Sequence, residues 1–125
     1  MADDMLAKGL EQRKATLGAE YVENVFESAD DFSKPFQEAM TAWCWGFGWG
    51  DEVFSPKMRS MLNLPMLAAL NRMEEFELHF RGAIRNGVTK EELRGLIHII
   101  SIYAGVPAGV SSFRIAKKVM AEEGI

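Results

Sequence analysis

Three residues whose types could do acid–base chemistry follow one line of a predicted helix. Arg72, Glu75 and His79 are spaced i, i+3 and i+7, and steps of three and four residues place side chains on one helical face. A neighbouring stripe is apolar and consists of Met73, Phe76, Phe80, Ala83 and Ile84. The polar line therefore borders the buried face, where a helix can present polar groups to a cleft. The same spacing also fits an exposed ladder of ion pairs, which contributes little to stability.

Length and composition fit one domain that covers residues 1–125. Hydrophobic residues make up 48% of the 125 residues, which is enough to close a core. The net charge is −4 and no basic run with interleaved aromatics is present, so we expect no nucleic-acid partner. The acidic start lacks the pattern of a signal peptide, and no apolar stretch approaches the ~20 residues of a membrane span. We therefore expect a cytoplasmic protein with no membrane partner.

The single cysteine offers little chemistry. Cys44 has no second cysteine with which to form an internal disulfide or a C-x-x-C pair. Its neighbours are Trp43 and Trp45, a setting typical of a buried packing thiol. Two histidines and one cysteine without metal-ligand spacing predict no metal site.

The periodicity predicts an all-α bundle of about six to seven helices. Alternating strands are hard to find, whereas helix start and stop signals are frequent. Asn86-Gly87 is typical of a left-handed helix end, and Thr89 to Glu92 of a capping box. In contrast, Gly46, Gly48 and Gly50 predict a loop that holds Phe47 and Trp49.

One predicted helix is more apolar than a small bundle needs. Between Leu93 and Tyr103, isoleucines at positions 97, 99, 100 and 102 surround the helix on several sides. A helix that is apolar nearly all round is buried nearly all round. In so short a chain, other subunits most simply supply the extra burial, so we expect a homo-oligomer.

A series of short motifs follows in order along almost the whole chain. These are Glu20-Tyr21-Val22, Asp30-Asp31-Phe32, Pro35-Phe36-Gln37-Glu38, Trp45-Gly46 with Trp49-Gly50, Arg59-Ser60-Met61-Leu62-Asn63-Leu64, Leu67-Ala68-Ala69-Leu70-Asn71-Arg72, His79-Phe80-Arg81-Gly82-Ala83, Asn86-Gly87-Val88-Thr89 and Tyr103-Ala104-Gly105-Val106-Pro107-Ala108. Together these motifs closely resemble the 4-carboxymuconolactone decarboxylase family. The resemblance implies an AhpD-like all-α fold, no cofactor, and assembly as a homotrimer or homohexamer. The implied reaction converts 4-carboxymuconolactone, a small dicarboxylate lactone, to 3-oxoadipate enol-lactone and CO₂ in the protocatechuate branch of the β-ketoadipate pathway.

A redox relative and a relative with a different substrate remain alternatives. The AhpD-like alkylhydroperoxidases carry C-x-x-C-x-x-x-H, and here Arg72 and Glu75 stand at the cysteine positions while His79 keeps the histidine. Ser60 replaces their proton-relay glutamate. Without a thiol pair, disulfide-based peroxidase chemistry is nearly excluded. The segment 47–54 differs from the decarboxylases, which leaves open a family member acting on a different small acid.

The implied reaction assigns roles to polar residues. Arginine matches a carboxylate with its planar fork, and Arg72 and Arg59 are the candidates for holding the substrate. His79 is the candidate proton donor, and Glu75 could orient its imidazole or hold it protonated.

Three further residues are weaker candidates for substrate binding. His98 is a second possible proton donor, although an ordinary core or interface histidine is as good an interpretation. Trp45 and Trp49 either line the substrate pocket or pack in the core.

Overall fold

The computed structural model describes residues 2–125, with side chains from Asp4 onward, and it is helical with no β-strand in that range. The helices are α1 (Ala2–Leu17), α2 (Ala19–Ser28), α3 (Lys34–Met40), α4 (Pro56–Ala69), α5 (Met73–Arg85), α6 (Lys90–Tyr103) and α7 (Val106–Glu123). The all-α prediction is therefore confirmed. Two compact units divide the chain, Met1–Pro56 and Lys57–Ile125. That residues 1–125 form one domain stays a prediction.

In the first unit, α3 continues directly into a π-helical segment, Thr41–Gly48. The predicted start of the glycine-rich loop is therefore wrong. The reason is close packing, because a Cβ on Gly9 would meet the carbonyl oxygen of Thr41 and a Cβ on Gly46 would meet the backbone of Met5. These glycines let α1 approach the π-helical segment, and they do not break the helix.

In the second unit, α4 to α7 enclose an apolar core. Its fully buried side chains include Phe76 and Phe80 on α5 and Ile97 and Ile100 on α6. The predicted end signals are confirmed on both sides of the turn between these helices. Gly87 has φ 88°, and Thr89 and Glu92 form both hydrogen bonds of a capping box.

One side of the second unit carries exposed apolar residues. Ile102 and Tyr103 at the end of α6 are 69% and 85% exposed. The other large apolar side chains nearby are also exposed: Ile99, Val106 and Val110. We call these five residues the α6–α7 apolar face. α6 was predicted to be buried on nearly all sides. Within a single chain, however, its residues in the α6–α7 apolar face are exposed.

No helix in the described range combines the length and the apolar character needed to cross a bilayer.

Candidate functional site

His79 lies on α5 between the two fully buried phenylalanines of that helix, Phe76 and Phe80. Because those rings fix the helix in the core, the imidazole is largely buried, and its Nδ1 atom is shielded from solvent. Burial lowers the pKa of His79 from 6.5 to about 4, since an apolar setting disfavours the charged form. In the single chain the imidazole is therefore neutral near pH 7.

The other two residues of the predicted polar line are exposed. α5 begins at Met73, so Arg72 is its N-cap residue with φ −100° and ψ 69°, one position before the helix. The predicted helix began one residue too early. Glu75 lies in the first turn, where a carboxylate is favoured by the helix dipole. Their predicted roles stay predictions.

Buried polar groups join α4 to the far end of α5. Ser60 is fully buried, and its hydroxyl oxygen accepts a hydrogen bond from the Asn86 side-chain amide at 3.0 Å. Next to Ser60, Arg59 is half-buried and its Nε atom is shielded from solvent. Asn86 caps α5 seven residues after His79, a separation that places two residues on one side of a helix. Sequence reasoning interpreted Asn86 only as a helix end and missed its bond to Ser60, because that bond joins two helices.

His98 packs against a different helix. It is on α6, exposed, and its ring centroid is 6.0 Å from that of Phe113 on α7. A substrate-binding or proton-donating role for His98 stays a prediction.

The two candidate tryptophans belong to the first unit. Trp45 is 3% exposed and its ring stacks on that of Trp49 with centroids 4.6 Å apart. Trp49 is half-buried at the end of the π-helical segment. Packing in the first unit accounts for Trp45, and pocket lining by either ring stays a prediction.

A buried arginine was missed by sequence reasoning. Arg13 is 4% exposed, and its Nη1 donates to the Thr41 hydroxyl at 2.8 Å and to the Gln37 side-chain carbonyl at 3.1 Å. The Phe26 ring centroid lies 5.9 Å from its guanidinium carbon. Burial lowers the pKa of Arg13, because these neutral partners compensate only part of the lost hydration. The available signal was the position of Arg13 among apolar residues of α1. Through its hydrogen bonds, Arg13 ties α1 to the start of the π-helical segment.

The lone thiol was predicted to be buried, and that prediction is wrong, because Cys44 is exposed on the π-helical segment. Its neighbours still desolvate it enough to raise its pKa, which weakens it as a nucleophile. Among the side chains of residues 4–125, no group of three His, Cys, Asp or Glu could hold a metal ion.

Comparisons with known proteins agree with the series of motifs in the sequence. The sequence model of the carboxymuconolactone decarboxylase family matches residues 34–118. A 4-carboxymuconolactone decarboxylase from Acinetobacter baylyi is 36% identical over 94% of this chain and 88% of its own. Nitrosuccinic acid decarboxylase npaB from Metarhizium robertsii is 38% identical over 89% of this chain and 78% of its own. Both relatives are named decarboxylases, which supports a carboxy-lyase activity. The chain therefore belongs to the carboxymuconolactone decarboxylase family.

Proposed function

We propose that this protein is a cofactor-independent decarboxylase of a small dicarboxylate, with 4-carboxymuconolactone as the first candidate substrate. The observation that carries the proposal is the buried, neutral imidazole of His79 on α5, inside the region that matches the family. Few side chains other than histidine exchange a proton with a carbon acid near neutral pH.

The first candidate substrate contains its own electron acceptor. In 4-carboxymuconolactone the bond between a ring carbon and its carboxylate breaks, and CO₂ leaves. The electron pair moves through the ring alkene onto the lactone carbonyl. A proton then adds to ring carbon and gives 3-oxoadipate enol-lactone. The protein has to bind a dianion, stabilise the charge on the lactone oxygen and deliver that proton.

Nitrosuccinic acid is the second candidate, because the relative that acts on it is 38% identical to this chain. When the carboxylate leaves the carbon that bears the nitro group, the electron pair moves onto the nitro oxygens as a nitronate, which a proton then neutralises at carbon. Both candidates are dicarboxylates that lose one carboxylate next to an electron acceptor. One arrangement of arginine and histidine could serve either reaction.

Arg59 is the stronger of the two predicted carboxylate ligands. It is half-buried on α4, whereas Arg72 is exposed at the start of α5. A guanidinium that is partly removed from water binds a carboxylate more strongly, because the local dielectric is lower.

His79 donates its proton only after the substrate has arrived. With a pKa of about 4 the empty site holds a neutral imidazole, which is a poor acid. A dianion nearby raises the pKa of an imidazole, because it favours the charged form. The imidazole then takes a proton from solvent and passes it to the carbanion, with Glu75 one turn earlier adding negative charge.

The substrate is tested by measuring CO₂ release from each candidate by the purified protein. Succinate is the control, because it has two carboxylates and no electron acceptor beside either. Release from one of the two candidates and none from succinate supports the proposal. Release from neither candidate at substrate concentrations far above typical KM values, on the order of 1 mM or less, would contradict it.

A further inference from the structure

A small apolar cavity lies between α6 and α7, within the second unit. Its volume is about 130 Å³. The walls are the apolar side chains of Leu93, Ile97, Phe113, Ala116 and Met120. The polar residues of the lining, among the described side chains, are all cationic: Lys90, Arg94 and Lys117. We call this space the α6–α7 pocket. None of the residues predicted to act on the substrate lines it.

The positive charge in this lining is uncompensated. In the part of the chain with described side chains, Lys90, Arg94 and Lys117 form no ion pair or side-chain hydrogen bond. The neighbouring Lys118, in contrast, pairs with Glu77 at 3.1 Å. An open groove beside the pocket adds a fourth cation, Arg114, and among the side chains of residues 4–125 its lining again holds no carboxylate. In a chain with a net charge of −4, four unpaired cations at one place favour an anion.

The size of the cavity restricts the apolar part of that anion. An apolar cavity of about 150 Å³ can hold benzene, and the α6–α7 pocket, at about 130 Å³, is close to that size. Its volume therefore favours a ligand with a single six-membered ring. Cations at the lining would meet an acidic group attached to that ring, and an arginine would bind a carboxylate with two parallel hydrogen bonds.

We propose that the α6–α7 pocket is a second ligand site that binds a cyclic or aromatic monocarboxylate. The ring occupies the space between Leu93, Ile97 and Phe113, and the carboxylate contacts Arg94 and the two lysines. This site is separate from His79, so it is a binding site without chemistry of its own. The proposal does not depend on which dicarboxylate the enzyme decarboxylates.

The test is calorimetric titration of the purified full-length protein with benzoate. Benzyl alcohol keeps the ring without the charge, and acetate keeps the charge without the ring. We expect benzoate to bind and each control ligand to bind at least roughly tenfold more weakly, because each lacks one of the two contacts. Equal binding of acetate and benzoate would overturn the proposal, since it would show attraction to surface charge alone.

Variants locate the site. Arg94→Gln changes an exposed residue and should weaken benzoate binding by roughly tenfold, whereas the matched surface variant Lys118→Gln should leave it unchanged. Ala116→Leu should fill the cavity and abolish binding. His79→Gln should bind benzoate as the unaltered protein does. Loss of binding in His79→Gln with retention in Arg94→Gln would place benzoate in the decarboxylation site and overturn the proposal.

Light scattering on the same proteins tests whether a second copy of the chain, and not a small ligand, occupies the α6–α7 pocket. We expect Arg94→Gln to leave the molar mass unchanged. If Arg94→Gln alters the mass and the unaltered protein binds no benzoate, the pocket is a subunit contact and the proposal is wrong.

Discussion

At the scale of single residues, the main feature is a histidine whose burial keeps it neutral. Between its folded pKa of about 4 and its ordinary value of 6.5, His79 binds fewer protons in the folded state than in the unfolded state. Unfolding therefore takes up a proton in that window, and the folded state loses stability as the pH falls from about 6.5 to about 4.

Replacement of His79 by glutamine should remove this part of the pH dependence. Urea unfolding at about pH 7 and about pH 4.5 should show that the stability of His79→Gln falls less on acidification, by up to about 3 kcal/mol. Glu77→Gln, a change on the same helix, serves as the control and should keep the histidine-dependent loss. Equal acid losses in the unaltered protein and His79→Gln would show that burial does not depress this pKa.

The two arginines should differ in their effect on catalysis. Arg59→Ala removes the half-buried side chain that we propose as a carboxylate ligand, so KM should rise at least as much as kcat falls. Arg72→Ala removes an exposed side chain and should raise KM less. Steady-state kinetics on the better substrate make the comparison. A larger KM effect at Arg72 would move the carboxylate contact to the start of α5.

At the scale of helices, close packing in the first unit depends on glycine. Gly46→Ala should destabilise the protein by about 1–3 kcal/mol, because the new methyl group would meet the backbone of α1, which cannot move aside easily. Gly95→Ala is the matched control, because nothing lies within 4 Å of its Cβ position on α6. That change should stabilise by roughly 0.5–1 kcal/mol, since alanine favours the helix. Urea midpoints test both, and similar values for the two variants would show that Gly46 has no packing role.

The glycines show which features of the helices could be predicted from the sequence and which could not. Local signals placed the end of α5 and the start of α6 correctly, because a left-handed glycine and a capping box act through bonds within a few residues. The role of Gly46 depends on Met5, some forty residues earlier, and nothing local distinguishes a packing glycine from a helix-breaking one. The exposure of Cys44 likewise depends on which side of the π-helical segment faces α1.

In the candidate site, too, local patterns predicted some features, whereas features that depend on contacts between helices were missed. The spacing correctly placed His79 on α5 beside the buried stripe, because Phe76 and Phe80 follow helical periodicity, and its role in the reaction stays a prediction. The bond between Ser60 and Asn86 joins two helices, so no pattern within α5 could predict it. Arg13 was missed because charged residues in helices are usually exposed, and its partners lie on α3 and the π-helical segment.

At the scale of the whole molecule, the α6–α7 apolar face is the basis for predicting assembly. Five large apolar side chains between positions 99 and 110 are at least half exposed in the single chain, and exposed apolar patches are typical of subunit contacts. The face predicts a homo-oligomer, and the resemblance to the family implies a homotrimer or homohexamer.

A charge on this face should weaken the assembly. Ile102→Glu should shift the protein towards smaller species in light scattering at micromolar concentration, because a carboxylate would be buried without a partner. The exposed residue Ala121 provides the control, and Ala121→Glu should leave the mass unchanged. If the unaltered protein is a stable monomer, the prediction of a homo-oligomer is wrong.

The role proposed for His79 is tested most directly by the rate of CO₂ release by His79→Gln on the substrate that the unaltered protein decarboxylates. The change removes the proposed proton donor and keeps a side chain of similar size. Turnover should fall by about 10²–10⁴-fold, the usual contribution of a general acid, while the circular dichroism spectrum stays helical. A folded His79→Gln protein with near-normal turnover would contradict the account and would make His98 the remaining histidine for the role.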